Sequence, residues 1–515
     1  MTAEAEVAAP AGAAPMTHKQ ILQALSGLYI GIFVAILSST VVTNALPTIV
    51  ADLHAGQSVY TWVITSTLLS TTVSSPVWGK LADLVSKKLL IQLSLTVFTV
   101  GSVLSGLSAD AGLLIAARVV QGIGAGGLMA LIQVIIATMI PPRELGRYSG
   151  YFGAVFAVGT SAGPLIGGLI VDTDWLGWRW CFFVGVPFAI VALVVLQKTL
   201  KLPVASQGSV KIDWAGSALL TAAASLLLIW VTLAGDRYAW LSWQTAAVLG
   251  GALVLALAFV AVERRAAAPV LPLWLFRTRT VVLAIIAGLA VGVALYAAAT
   301  YVSQYFQLAE GKSPTMAGIL ALPQILGLAL ASSVAGRIIS ATGRWKPFLV
   351  AGAVLITGGL ALLGFTDRAT PYWQLAIAMG LLGLGLGVML QNLVLAVQNQ
   401  VRPSQLGAAT ASVSFFRTLG GTIGVSALGA VLAADVGHKV MDGLAKLGVP
   451  AGGSLSRPAA LPAAVRAVVE DAYGQATGTI FQYAVPLALV ALVCVLFIRE
   501  VPLRTTNTVA GGGPR

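Results

Sequence analysis

The sequence predicts an all-α polytopic membrane protein, on the evidence of its composition, its apolar runs and the placement of its charges. Of the 515 residues, 58% are hydrophobic and 9% are charged, and the mean hydropathy is +0.92. A soluble domain carries about 25% charged residues, and a disordered chain combines low hydropathy with high charge. Both classes are therefore excluded. The Lys and Arg residues behind the net charge of +12 are dispersed between apolar runs, whereas those of a nucleic-acid-binding face are clustered.

Fourteen apolar runs are long enough to cross the roughly 30 Å hydrocarbon core of a bilayer as helices. They lie at about 22–46, 59–79, 89–108, 112–140, 148–171, 181–199, 214–235, 244–263, 280–305, 317–336, 347–366, 372–400, 407–433 and 476–498. The even number places both termini on one side. The short loops on that side contain sixteen Lys and Arg residues, against four in the short loops opposite. Both termini are therefore predicted to be cytoplasmic.

The chain repeats itself at a separation of about 260 residues, as transporters often do. A glycine-rich pattern beginning at Gly122 recurs from Gly383 at a constant offset of 261, and the segment 79–88 pairs with 336–346 at an offset of 257. The predicted organisation is a tail at 1–21, a six-helix half at 22–199, a linker with two extra helices at 200–279, a second six-helix half at 280–498 and a tail at 499–515. The second half includes a long extracellular loop at about 434–475, with an amphipathic helix near 461–473.

Four motifs carry a resemblance to a known family. They are GKLADLVSKK (79–88), ARVVQGIGAGG (117–127), GTSAGPLIGG (159–168) and LSSTVVTNALP (37–47). With them the chain resembles the major facilitator superfamily, in its fourteen-helix drug:proton antiporter branch, over residues 22–505. The resemblance implies a major facilitator fold of two six-helix halves plus two extra central helices. The motif at 159–168 implies antiport. The first-helix motif departs from the family at Ser38, where the family has an aspartate implicated in proton or cation handling.

The loop after the second helix is a candidate latch between the halves. It contains Gly79, Asp83, Lys87 and Lys88, with an echo at Arg344 in the second half. Asp83 can accept hydrogen bonds from a neighbouring helix N-terminus, where the macrodipole favours an anion. The lysines can bind opposing carboxylates or carbonyls. The alternative is an ordinary positive-inside loop, in which these charges only set the orientation of the protein in the membrane.

The motif on the fifth helix is a candidate pivot for rocking of the halves. Its residues are Gly159, Gly163, Pro164, Gly167 and Gly168. They remove side-chain bulk and one backbone donor, which permits close helix packing and a bend. Packing alone is the alternative interpretation.

Two ionisable residues, Arg118 and Arg417, lie inside predicted spans, where a charge indicates function by default. Arg118 precedes Gln121 by about one helical turn, so both are expected to face a central cavity. Arg417 is alternatively a side chain that snorkels to the membrane surface. No acidic residue lies in the middle of a span, and the remaining candidates for the proton carrier, Asp52, Asp83, Glu263 and Glu310, lie at helix ends. Coupling is expected to use a carboxylate at the rim, such as Asp83 or Asp52, or to act through Arg118 and water. Polar residues expected to line the substrate cavity are Ser38, Asn44, Tyr301, Gln324, Gln391 and Asn392.

These features predict a secondary active efflux transporter of the plasma membrane that exports antibiotics or other lipophilic molecules by alternating access, in exchange for protons. No ATP-binding, nucleophile or metal-ligand motif is found, so no enzyme activity, cofactor or metal is predicted. The expected partners are lipophilic substrates, protons and the lipid bilayer, without nucleic acid, and the protein is expected to work as a monomer. The alternatives are a lipid or lipid-conjugate translocator, a gradient-driven uptake symporter and a non-transporting sensor.

Overall fold

The computed structural model describes residues 18–53, 57–171, 173, 175–200, 202, 213–234, 238–266, 269–448 and 462–505. Over this part the chain forms sixteen α-helices. They are α1 (His18–Asp52), α2 (Gln57–Leu84), α3 (Lys87–Gly106), α4 (Ala111–Met139), α5 (Pro142–Val171), α6 (Trp180–Phe183), α7 (Val186–Thr199), α8 (Trp214–Leu233), α9 (Trp243–Glu263), α10 (Arg279–Gln304), α11 (Pro314–Leu320), α12 (Leu322–Thr342), α13 (Lys346–Leu363), α14 (Tyr372–Gln398), α15 (Leu406–Lys446) and α16 (Ala463–Phe497).

The described helices correspond to the fourteen spans that the sequence predicts. Thirteen spans are long and apolar enough to cross a membrane, with α6 and α7 joined in one span and α11 and α12 in another. The remaining predicted span lies in α2, whose serines and threonines lower its hydropathy. Its hydroxyls donate to carbonyls of α4, from Thr71 to Gly122 and from Ser75 to Gly126, both at 3.2 Å. Donation to these carbonyls satisfies hydroxyls that are otherwise costly to bury in a membrane.

The two halves repeat the same helix contacts. A Cβ on Gly122 of α4 would lie 2.6 Å from the carbonyl oxygen of Thr67 on α2. In the second half, a Cβ on Gly383 of α14 would overlap the carbonyl oxygen of Gln324 on α12. Small residues let helix backbones approach closely in membranes. The glycine pattern of the repeat is therefore the pattern of its helix contacts.

Both described ends of the chain lie at one face of the bundle, because the crossings alternate in direction. We call this the terminal face. The segment that follows α16 lies across it, where the amides of Trp345 and Lys346 donate to Glu500 Oε1 at 2.9 and 3.2 Å. The amide of Arg143 donates to the carbonyl of Arg504 at 3.2 Å. This segment therefore joins the second half to the start of α5 in the first.

The two extra helices cover the place where the halves meet. Leu220 of α8 and Phe259 of α9 belong to one apolar cluster with Val73 of α2 and Phe415 of α15. The α8–α9 pair thus packs on one helix from each half.

The outer surface of the bundle is apolar. Leu253 and Leu257 of α9 are each 60% exposed, and Val493 of α16 is 51% exposed. Exposed apolar surface of this extent is typical of a protein surrounded by lipid.

Much of the segment predicted as a long extracellular loop at about 434–475 is helical, because both flanking helices continue into it. α15 runs to Lys446 and α16 begins at Ala463. The two extensions pack on each other through an apolar cluster that contains Val440, Leu444, Val469 and Ala472. Polar residues end the apolar run in this stretch, but the stretch stays helical because the two extensions bury each other's apolar side chains. The amphipathic helix predicted near 461–473 is the beginning of α16 rather than a separate element.

Candidate functional site

The halves meet at the terminal face through two helix crossings related by the repeat. At the first, α2 passes the first turn of α15, and a Cβ on Gly79 would lie 2.8 Å from the carbonyl oxygen of Gly407. Asp83 lies about one turn further along α2. Its Oδ1 accepts a hydrogen bond from the amide of Gly407 at 2.8 Å, and its Oδ2 accepts one from Ala408 at 2.9 Å. First-turn amides have no partner within their own helix, so a carboxylate from one half caps a helix of the other.

Asp83 is a proton-binding candidate at this crossing. It lies beyond the span predicted at 59–79. Burial raises its pKa from the usual 3.8 to about 6, while the amides of Ala408 and Gly407 and the charges of Lys87 and Lys80 oppose the rise. The carboxyl group can therefore gain and lose a proton near neutral pH.

The other charges of the predicted latch have different partners. Lys88 Nζ donates to the carbonyl of Gln197 at 2.7 Å, near the end of α7 in its own half. Arg344 is exposed, and its backbone amide donates to Thr342 Oγ1 at 3.3 Å. In the second half it is Glu500, beyond α16, that accepts hydrogen bonds at the start of α13. Of the predicted latch residues, Gly79 and Asp83 thus make the described contacts between the halves, with Lys87 close enough to act on Asp83.

The second crossing repeats the first without its charge. α12 passes α5, and a Cβ on Gly146 would overlap the carbonyl oxygen of Gly336 and lie 2.7 Å from Ser340 Oγ. At the offset of 257, Gly336 corresponds to Gly79 and Ser340 to Asp83. Ser340 Oγ is buried without a hydrogen-bond partner among the described residues.

The start of each contacted helix explains this difference. α15 begins at Leu406, so Gly407 and Ala408 lie in its first turn and their amides are free to donate to Asp83. α5 begins at Pro142, so Gly146 lies one turn inside the helix. Its amide is beyond the turn in which amides lack helical partners. A carboxylate at position 340 would therefore meet no free amide there.

A small, open cleft lies between the halves on the side of the terminal face. The first half contributes residues of α1, α4 and α5, and the second contributes α14. Its lining is Tyr29, Gln133, Ile136, Leu145, Gly146, Tyr148, Phe152, Gln391, Asn392, Val394, Leu395 and Gln398. Aromatic and aliphatic groups alternate with neutral amides in this set, and none of the side chains is charged at neutral pH. The chemistry of this lining suits a partly apolar ligand.

Arg118 and Gln121 lie inside the first half, rather than facing a cavity between the halves as expected. Arg118 is 4% exposed, and its Nη1 donates to Gln121 Oε1 at 2.5 Å while its Nε donates to the carbonyl of Val63 on α2 at 3.3 Å. Gln121 Nε2 donates to Ser102 Oγ on α3 at 2.7 Å. The pair therefore connects α4 to α2 and α3. The helical spacing predicted that the two residues share a face of α4, but it could not predict which helices pack against that face.

Two of the six predicted cavity residues, Gln391 and Asn392, line the cleft. Tyr301 instead donates its hydroxyl to the carbonyl of Val425 within the second half. Gln324 packs its backbone against α14. The side chain of Asn44 lies outside the described residues.

Ser38 and Arg417 occupy positions in separate halves. Ser38 Oγ is buried and points to Gly185, just before α7, where a Cβ would lie 2.7 Å away. The position at which the family has an aspartate is thus covered by α7 in this conformation. Arg417 is partly exposed on α15, and its carbonyl oxygen would overlap a Cβ on Gly292 of α10.

The motif on α5 packs against α1. A Cβ on Gly159 would lie 3.0 Å from Ile36, and one on Gly163 would overlap Thr40. Thr40 Oγ1 donates to the carbonyl of Gly159 at 3.3 Å. Gly167 is buried, Gly168 lies near Thr315 of α11, and the side chain of Pro164 lies outside the described part. Close packing is thus observed along the motif, and its role as a pivot stays a prediction.

Comparison with known proteins decides the family. The family model described as the Major Facilitator Superfamily matches residues 28–425. The chain belongs to the major facilitator superfamily. This major facilitator is therefore a multi-pass membrane protein of a family whose members transport small molecules.

Its relatives include proteins with and without an assigned activity. An uncharacterised MFS-type transporter of Mycobacterium tuberculosis is 37% identical over 482 residues, which cover 93% of this chain and 69% of the relative. The multidrug transporter protein MdtP of Bacillus subtilis is 33% identical over 420 residues, covering 82% and 77%. The solved structure of the proton:xylose symporter XylE superimposes with a TM-score of 0.63 at 13% identity, covering 94% of this chain and 97% of that chain. This last likeness shows the fold alone.

Sequence reasoning missed the partners that complete the two crossings. Gly146 and Gly407 are matched by the repeat offset of 261, yet their spacing alone does not reveal that each contacts the opposite half. Combining the two repeat offsets could have identified them. The residues related by the offset of 257 lie on α2 and α12. They contact the residues related by the offset of 261, which lie on α15 and α5. The aromatic residues Tyr29 and Tyr148 of the cleft carry no comparable signal.

Proposed function

We propose that the protein is a secondary active efflux transporter that exports antibiotics or other lipophilic molecules across the plasma membrane by alternating access, in exchange for protons. The observation that carries the proposal is the pair of crossings, α2 with α15 and α5 with α12, beside a neutral cleft between the halves. Relatives named multidrug transporter and efflux pump support efflux as the direction. The excess of Lys and Arg in its loops supports a cytoplasmic terminal face.

The substrate class follows from the lining of the cleft. Phe152, Tyr29 and Tyr148 offer apolar faces, and Gln133 and Gln391 offer amide groups that can donate or accept. A carboxylate that would favour an obligate cation is absent from the lining. Neutral or anionic amphiphiles are therefore the preferred substrates.

The proton carrier that we propose is Asp83. Its pKa is raised while the terminal face is closed and it is buried. When the halves separate at this face, water reaches the carboxyl group and its pKa falls toward the usual value. Opening then releases a proton on the cytoplasmic side, as proton influx requires. In this scheme Gly159 and Gly163 form the pivot, and Arg118 with Gln121 keeps the first half rigid.

The test is transport in proteoliposomes under an imposed pH gradient, with a fluorescent lipophilic drug and a second dye for internal pH. Wild type is expected to move drug and protons in opposite directions. Asp83→Asn, which does not titrate, is expected to lose proton movement on drug addition. Arg118→Ala is expected to lose both fluxes together, because it removes the link from α4 to α2.

Glu144→Gln is the matched control for Asp83→Asn. It neutralises an exposed carboxylate in the first turn of α5, at the same face, and both fluxes should persist. Drug transport that moves no protons and does not depend on pH would refute the antiport proposal. Proton movement retained in Asp83→Asn would reassign the carrier.

A further inference from the structure

Two carboxyl groups meet at the base of the extra helix pair. Asp213 precedes α8, and its Oδ1 accepts a hydrogen bond from the amide of Gly216 at 2.8 Å. Glu263 is the last residue of α9 and is 4% exposed. Its Oε1 accepts a hydrogen bond from the amide of Leu271 at 2.5 Å. One oxygen of each carboxyl group is therefore occupied by a backbone amide.

The remaining two oxygens face one another across Gly216. Asp213 Oδ2 and Glu263 Oε2 are both buried without a hydrogen-bond donor among the described residues. A Cβ built on Gly216 would overlap Asp213 Oδ2 and lie 2.8 Å from Glu263 Oε2. The two oxygens thus converge on one point next to a residue that has no side chain. Two ionised carboxylates in this arrangement would repel each other in a medium that screens charge poorly.

Positive charge does not compensate the pair within the described part of the chain. Arg264 and Arg265 follow Glu263, yet the ion pairs of the described residues all lie elsewhere, at Asp52, Glu470 and Asp435. No described group of three or more His, Cys, Asp or Glu side chains could hold a metal ion. Two free oxygens are also fewer than the six or more ligands that Mg²⁺ or Ca²⁺ requires. A proton is the cation that two facing carboxyl oxygens can bind.

We propose that Asp213 and Glu263 bind a proton between Asp213 Oδ2 and Glu263 Oε2, forming a carboxyl–carboxylate site on the extra helices. The bound proton joins the start of α8 to the end of α9. Through Leu271 it also fixes the segment that leads to α10. Because α8 packs on both α2 and α15, loss of the proton loosens the contact of α8 with one helix of each half.

The site is separate from the cleft and from Asp83. Proton binding there does not depend on whether the protein exports drugs. Its two acids belong to the helices that are additional to the two six-helix halves. The protein thus binds a second proton, one that the alternating halves do not carry.

The test is a pH titration of the full-length protein in lipid, read by infrared difference spectroscopy in the absorption band of protonated carboxyl groups. Wild type is expected to show a protonated carboxyl group that is lost as the pH rises. Glu263→Gln and Asp213→Asn should each remove this signal, because an amide can donate the hydrogen bond that the shared proton supplies. Asp110→Asn is the matched control, since Asp110 also caps a helix start but faces no second acid.

A second measurement needs no variant. A lipophilic carbodiimide reacts with protonated carboxyl groups, and mass spectrometry of wild-type protein treated near neutral pH should find the adduct on Asp213 or Glu263. The adduct should decrease at alkaline pH. A carboxyl signal that survives in both variants, or wild-type protein without the adduct at either residue, would overturn the proposal.

Discussion

The two crossings that join the halves at the terminal face share their glycines but not their charge. At the first, Gly79 meets Gly407 and Asp83 caps α15. At the second, Gly336 meets Gly146, and a serine with a buried Oγ occupies the position that corresponds to the carboxylate. The difference comes from the start of the contacted helix, which lies at the crossing in α15 and one turn away in α5. An internal repeat can therefore conserve packing while placing electrostatics in one copy only.

The largest effect is expected where the crossings are alike. Gly79→Ala and Gly146→Ala each place a methyl group where there is no space. Overpacking costs about 1–3 kcal/mol, so closure of the terminal face should weaken by about tenfold or more in either variant. Spin labels at Leu89 and Ser404 would report on the first crossing, and labels at Glu144 and Ala341 on the second, as distances between exposed positions.

Glycines with open surroundings provide the control. A Cβ on Gly358 or Gly380 would have no atom within 4 Å, so their alanine variants should leave the label distances unchanged. If only one of the two crossing variants opened the face, the crossings would not be equivalent in packing.

Ser340→Asp tests the proposed origin of the difference. The new carboxylate would be buried beside Gly146, where no free amide is available. Burial of an unpaired charge is costly, and we expect closure to weaken by about tenfold. Ser340→Asn has the same size without the charge and should have a smaller effect. Stronger closure in Ser340→Asp would contradict the role of free amides and would indicate that Arg147, next to Gly146, receives the charge.

The pH dependence of closure should come from the first crossing. A pKa raised to about 6 by burial means that the closed state binds a proton more tightly than the open state. This stabilisation is complete below the usual pKa of Asp83 and is lost as the pH rises through 6. Between about pH 7 and pH 5, closure should increase about tenfold. The labels at Leu89 and Ser404 measure it.

Asp83→Asn supplies the comparison for that titration. Its equilibrium between closed and open states should not change over the same pH range, while Glu144→Gln should titrate like wild type. An unchanged titration in Asp83→Asn would assign the pH dependence to another group, with Asp213 and Glu263 as the next to examine.

The smallest effect is expected at Glu500, which accepts hydrogen bonds from a helix start within its own half. Glu500→Ala leaves the amides of Trp345 and Lys346 without their carboxylate. Loss of such a cap costs about 1 kcal/mol, which should appear as a lower unfolding temperature. Because Glu500 does not bridge the halves, the label distances at both crossings should stay constant. A change at either crossing would show that this carboxylate also affects closure.

Much of the architecture was predictable because it depends on the summed hydropathy of short stretches and on the internal sequence repeat. Apolar runs gave the number of crossings, and the glycine offset gave the equivalent helices. The cleft was predictable only in part. Gln391 and Asn392 line it, but Tyr301 is used within the second half. The face of a helix can be read from spacing, whereas the neighbour that covers that face cannot. For the same reason Arg118 was expected in a cavity and is found inside the first half.

Local sequence patterns were sufficient to predict an α-helical membrane protein with an internal repeat, because hydropathy and glycine spacing are properties of short stretches. The tertiary structure determines which carboxylates have hydrogen-bonding partners. Asp83 finds free amides because α15 starts where α2 crosses it, and Glu263 finds Asp213 because α8 and α9 lie antiparallel. It also decided that α15 and α16 continue past their apolar runs, since each extension buries the other. These outcomes depend on where one element begins relative to another far along the chain, which no local pattern records.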